Sequence, residues 1–286
     1  MILERLTFPI LMIAEGAGRS AADTVTHAAK HGESSAPELP NILQLLYHGF
    51  GDAFKSLYHW ENIFFAFSVL AFLCIVSLRI YAKRQPMPDK LQNLAEMIVE
   101  ALDNFFASIL GHHARRYTPF LGTLFIYILL MNWIGMIPFL KSPSSYATIP
   151  VSLALIVFIY VQYTGFRRLG VWGWVFHIMG SPKDAVSWAL VPLNLPIHLI
   201  GELAKPLSLS LRLFGNITGE DVLIAAFTGL GVMVLSFAHL PIGIPLQLPF
   251  YFLGLLMSTI QALVFTSLAT IYISMMLPHE EHGEEH

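Results

Sequence analysis

Hydrophobic residues in this chain run in long blocks separated by short polar clusters. The first clear block, residues 62–81, contains IFFAFSVLAFLCIVSL and carries no charge before Arg79. At about 1.5 Å per residue it is long enough to cross a hydrocarbon core of roughly 30 Å. Blocks at 120–139 and 149–166 predict a second and a third span, joined by the polar loop KSPSSYATIP. Residues 91–110 follow a different rule. Leu91, Leu94, Ile98, Leu102 and Phe105 recur at helical spacing among polar neighbours, which predicts an amphipathic helix lying on the membrane surface.

Residues 170–194 are interrupted by Gly173, Gly180, Pro182 and Pro192 and by the charges of Lys183 and Asp184. A partly inserted, re-entrant element fits this pattern better than a clean span. Two very long apolar segments follow, 196–237 and 246–277, separated by the turn AHLPIGIP. A helix as long as the second measures roughly 48 Å against a bilayer core of about 30 Å, so each arm of this hairpin must tilt steeply or break. The expected fold is therefore an all-α membrane protein of about five transmembrane helices, with a surface helix, a re-entrant element and a tilted C-terminal hairpin. Residues 1–60 read as an extramembrane arm, 61–278 as the transmembrane domain and 279–286 as an acidic tail. Within the arm, residues 6–14 resemble a short signal-peptide core, but Glu4 and Arg5 precede them.

Composition agrees with this layout. Of 286 residues 55% are hydrophobic and 12% charged, with mean hydropathy +0.63, which marks an integral membrane protein. A formal net charge of −3 leaves no basic surface of the kind that tracks phosphate backbones, so nucleic acid is not an expected partner. The single cysteine, Cys74, has no partner for an internal disulfide and reads as a buried structural thiol. Arg79, Lys83, Arg84, Lys90, Arg115, Arg116, Arg167 and Arg168 fall on one side of the membrane in this topology. The positive-inside rule makes that side the cytoplasm, placing the N-terminal arm outside and the C-terminus inside. The tail PHEEHGEEH reads as a solvated end rather than a metal site, and no cofactor is expected. No GxxxxGK[ST] loop occurs, so nucleotide chemistry belongs to another chain.

Charged and amide residues inside the apolar segments are what lipid does not explain. An arginine centred in a transmembrane helix costs about 2.5 to 3.5 kcal/mol on insertion scales. Arg212 stands in that position, though its stem could also snorkel toward an interface near Pro206. At about 100° per residue, Ser208, Arg212 and Asn216 fall in successive turns, each about 40° from the one before, and His198 lies within about 40° of Arg212. Such a seam faces protein or water. Glu220 projects about 80° from Arg212 and Asp221 about 180°, each some 12 to 14 Å further along, too far for a simple ion pair on a regular helix. Gln261, near the middle of the last segment with Gly254 and Ser258 on its face, is placed to bring an amide near the guanidinium or to bond one helix to another. Asn132 in the second span raises the same alternatives, and Glu202 is a further polar candidate.

The stretch AKPLSLSLRLFGN, 204–216, resembles the signature of subunit a of the rotary ATP synthases, the stator component beside a turning ring of c subunits. MNWIGMIP resembles that family's Asn-containing second helix, and TIQALVFTSLATIYIS resembles its last helix, with the family glutamine at Gln261. The resemblance implies that Arg212 faces the proton-carrying carboxylates of the ring, with Asn216 and Gln261 near the route. It also implies a non-catalytic, ion-translocating subunit of an energy-coupling membrane, such as a bacterial inner membrane, with the c-ring, b-type peripheral stalk subunits and the rest of the synthase as partners. Three departures stand out. Asp221 holds the ungapped position of the family acid, while the Gly-Glu pair, Gly219 and Glu220, comes one residue early; either acid could line the outer half-channel, with Glu220 preferred because it keeps the dipeptide. His198 stands where the family commonly has a carboxylate, and Gly254 where some relatives carry a titratable group. A sodium-coupled version of the same subunit is the alternative; a secondary cation transporter fits less well, because no internal repeat is present.

Overall fold

The computed structural model describes residues 61–82, 89–137, 140, 142–179, 185–236 and 246–277. The arm at 1–60, Lys83 and Arg84, the residues Gly180, Pro182, Lys183 and Asp184, the turn at 238–245 and the tail at 279–286 lie outside them. Among the described residues every regular element is helical: α1 (Glu61–Ala82), α2 (Lys90–Leu110), α3 (Ala114–Ile134), α4 (Thr148–Ile178), α5 (Ala185–Ser236) and α6 (Leu248–Met275), with 3-10 turns at Gly111–His113 and Pro143–Ser145. Helices satisfy their own backbone hydrogen bonds, which lipid cannot do for them. Four described segments are long and apolar enough to cross a membrane: Asn62–Ala82, Lys90–Ile134, Thr148–Phe176 and Leu248–Met275. The first is mostly bare, with Phe67, Phe72 and Leu78 more than half exposed. Cys74 shares that exposure and is not the buried thiol expected from its apolar surroundings, because α1 turns most of its circumference away from protein.

The chain divides into two compact units. One gathers Asn132–Ser145 and Gly215–Ser258; the other gathers Ala66–Met131 and Tyr146–Phe214 with the later turns of α6. In the second unit, Phe106, Leu121, Ile128, Leu213, Phe265 and Ile273 are completely buried. The predicted amphipathic helix is α2. Its N-terminal apolar residues Leu91, Leu94 and Ile98 stay exposed, whereas Phe106 and Leu110 are buried. Thr118 Oγ1 donates to Asp103 Oδ1 at 2.6 Å and so holds the start of α3 against α2.

α4 runs straight until Gly170, whose φ of 70° and ψ of 173° break the helix. A side chain would be strained in that conformation. The chain then turns back: Trp174 Nε1 donates to Gln162 Oε1 at 2.9 Å, and its ring stacks on Phe166 at 4.2 Å. In a continuous helix residues 162 and 174 would stand about 18 Å apart. The interruption expected after Gly170 is thus present, but it is shorter than anticipated, since residues 185–194 already belong to the 52-residue α5. Pro192, Pro196 and Pro206 lie inside that helix. Each lacks the N–H for one helical hydrogen bond, a cost near 3 kcal/mol in water. Ending the helix in lipid would strand several backbone groups, so carrying the prolines inside it is the smaller cost.

Candidate functional site: two polar networks in apolar helices

In the first unit, polar groups are threaded into one chain of hydrogen bonds. Gly135 lets the following loop pass close by, since a Cβ there would sit 2.9 Å from the Ser142 backbone nitrogen. The loop thereby delivers Ser144, whose Oγ donates to Asn132 Oδ1 at 2.7 Å. Asn132 is 2% exposed and passes the contact on, its Nδ2 donating to the Ser258 carbonyl at 3.3 Å. Ser258 Oγ in turn donates to Glu220 Oε2 at 3.0 Å. Gly254 makes room for that carboxyl group: a Cβ on it would come within 2.7 Å of Glu220 Cδ. Asp221 is half-buried elsewhere on α5. Glu220 is joined to the Asn132–Ser144–Ser258 network. Asn216, on the same helix, is also half-buried.

Replacing Asn132 with leucine should cost about 1 to 3 kcal/mol, the usual penalty when buried partners lose their hydrogen bonds. A lowered melting temperature of the purified complex would report it; an unchanged one would mean the network adds nothing. Gly254→Ala should displace the Glu220 carboxyl group and break its bond to Ser258. The expected result is a lowered melting temperature at normal expression, read by thermal unfolding and immunoblotting; an unchanged melting temperature would contradict the close fit.

The second unit holds a separate network on the earlier part of α5. Glu202 pairs with Lys205 one turn later, both largely buried. Gln162 Nε2 donates to Glu202 Oε2 at 3.0 Å while its Oε1 accepts from Trp174, so the turn at Gly170 fixes the amide that holds the acid. Lys205 lies over the Tyr272 ring, 5.3 Å from its centroid, as a cation–π contact. A small apolar cleft bounded by Val157, Val161, Leu209 and Tyr272 adjoins this pair.

Arg212 comes last in this unit. It is exposed on α5, as are His198 and Ser208 on the same helix. Among the described residues the single ion pair is Glu202–Lys205, so no described carboxylate pairs with Arg212. Gln261, by contrast, is 2% exposed and shares the buried side of α6 with Phe265 and Ala269. Arg212 and Gln261 therefore occupy unlike environments, one facing out and one facing in. Sequence reading missed Gln162, Trp174 and Tyr272. Gln162 could have been noticed as the one amide in an otherwise apolar third span, whereas the roles of Trp174 and Tyr272 depend on contacts across helices.

Bundled apolar helices that hold largely buried acids and amides and expose a guanidinium midway along α5 define an integral membrane protein of the ion-handling class. The family model described as the ATP synthase A chain matches residues 62–274. ATP synthase subunit a of Protochlamydia amoebophila is 46% identical over 255 residues, covering 88% of this chain and 93% of the relative. The subunit a proteins of Oleidesulfovibrio alaskensis and Solidesulfovibrio magneticus are 40% and 39% identical, over 77% and 80% of this chain and 87% and 89% of theirs. This chain belongs to the ATP synthase subunit a family.

Proposed function

We propose that this chain is the stator subunit that carries protons between two offset half-channels and the carboxylates of a rotating c-ring. The observation that carries this reading is Arg212, an exposed guanidinium on a membrane helix without a counter-charge among the described residues. A fixed cation in such a place calls for an anion from outside the chain. Ring carboxylates supply one: each is favoured as the anion beside Arg212 and as the neutral acid when it faces lipid. The guanidinium does not release its proton, so it blocks direct passage from one half-channel to the other.

The two polar networks fit the two half-channels. Glu220, with Ser258 and Asn132, lies C-terminal to Arg212 along α5 and serves the outer path; Asn216 stands between them in sequence. Glu202, with Gln162, Lys205 and Tyr272, lies N-terminal to it and serves the inner path, which His198 extends. Gln261 lines the approach to Arg212 from α6, and Ser208 belongs to the face that meets the ring. Each charge crossing gains about 2.3 kcal/mol per 100 mV, so several transfers per ATP supply the work of synthesis in the soluble head. The chain itself performs no bond chemistry.

An affinity tag on this chain should bring down a ring of c subunits, the peripheral stalk and a soluble ATPase. Inverted vesicles holding that complex should acidify on ATP addition at the same rate with and without sodium. Sodium-dependent pumping would transfer the reading to the sodium-coupled form, and purification of the chain alone from mild detergent would overturn it.

A further inference from the structure

Four arginines noted for topology, Arg115, Arg116, Arg167 and Arg168, flank the spans, and ion translocation makes no use of them. Three of them share a cleft. Arg116, from the start of α3, and Arg167 and Arg168, from the end of the straight part of α4, line one concavity of about 120 Å³ together with Tyr117, Tyr163 and Thr164. That is well above the ~10–15 Å³ that admits one water molecule. Arg167 Nη1 donates to the Tyr163 hydroxyl at 3.2 Å, which aligns one guanidinium along the wall. Tyr160, stacked on Phe120 at 3.9 Å, forms the floor and joins the two helices. No described carboxylate pairs with any of these arginines. Arg79, at the end of α1, is an interfacial arginine too, but it lines no such cleft.

Guanidinium forks, hydroxyl groups and a concave wall at the end of transmembrane helices match the oxygens of a phosphate group. Scattered snorkelling arginines would spread apart to lower their mutual repulsion. Three of these line one concavity instead, which favours an anion there. We propose that this cleft is a binding site for a phosphate group, carried there by the headgroup of an anionic phospholipid. Basic pockets between transmembrane helices hold such headgroups elsewhere. The inference stands apart from the proton path, because none of the cleft residues belongs to either polar network.

The test uses the whole complex, incorporated into vesicles of phosphatidylglycerol or of phosphatidylcholine, extracted in mild detergent and weighed by native mass spectrometry. Wild type should retain phosphatidylglycerol and not phosphatidylcholine. Removing one guanidinium should weaken retention roughly fivefold, and the combined change Arg116→Gln, Arg167→Gln, Arg168→Gln by about a hundredfold. Arg79→Gln should leave retention unchanged. In a second arm, inorganic phosphate is titrated against lipid-depleted complex by ³¹P NMR. Broadening in wild type but not in the triple variant, without lipid retention, would keep the phosphate site and move its source to solution. Equal retention in wild type and triple variant, an equal loss with Arg79→Gln, or binding in neither arm would overturn the proposal. Should the triple variant fail to assemble, Arg116→Gln alone reads the opposite wall, and undiminished binding there overturns it as well.

Discussion

Replacing Arg212 with alanine or glutamine is expected to abolish ATP-driven proton pumping while leaving the complex assembled. The second half of that expectation follows from geometry. Arg212 is exposed and makes no ion pair with a described residue, so its removal breaks no internal support of α5. An exposed helix position of this kind tolerates alanine well. The first half follows from charge. Without the guanidinium nothing favours the ionised form of an arriving carboxylate, and nothing separates the two aqueous paths. Arg212→Lys keeps a charge but loses the planar fork, and should restore little. Pumping by inverted vesicles at wild-type levels of assembled complex decides the matter; normal acidification in Arg212→Ala membranes would remove the proposed role.

The second large effect concerns the acids. Glu220→Gln is nearly isosteric, and its amide oxygen can still accept from Ser258, so the Asn132–Ser144–Ser258 chain survives. What disappears is the ability to take up and release a proton. Pumping should fall at least tenfold, in the range that a positioned acid–base group contributes to proton transfer, about 10² to 10⁴ in rate. Asp221→Asn should change it far less, because that side chain projects about 100° further round the helix from Glu220. The comparison is made in one membrane preparation, with ATP hydrolysis as the control for assembly. If both variants pump at the wild-type rate, neither acid carries protons. If the Asp221 change is the severe one, the outer path runs along a different face of α5.

Much of this could be read along the chain. The spans at 62–81 and 120–139 are dictated by hydropathy and length, and Arg212 announces itself because charge in an apolar helix is expensive. Gly254 was harder. In sequence it registers as a missing titratable group and as a small residue on the face of Gln261, whereas in three dimensions it is the space into which Glu220 reaches. A vacancy of that sort depends on two helices meeting at a given height, which periodicity within one helix cannot express. Asn132 was ambiguous for the same reason: its partners, Ser144 and Ser258, come from a loop and a distant helix. The start of α5 was misjudged because proline usually ends helices in water. Pro192 and Pro196 are absorbed here since lipid offers the backbone no alternative partner.

Those prolines carry a geometrical consequence. At about 100° per residue Pro192, Pro196 and Pro206 fall on one side of α5, within about 80° of arc, and Arg212 projects roughly opposite to them. A helix opens on the flank where proline crowds the preceding carbonyl and bends away from it. Three such wedges on a common flank add their deflections instead of cancelling them. Their common flank sets the direction in which a bend of α5 would open, and Arg212 stands on the inner side of that direction.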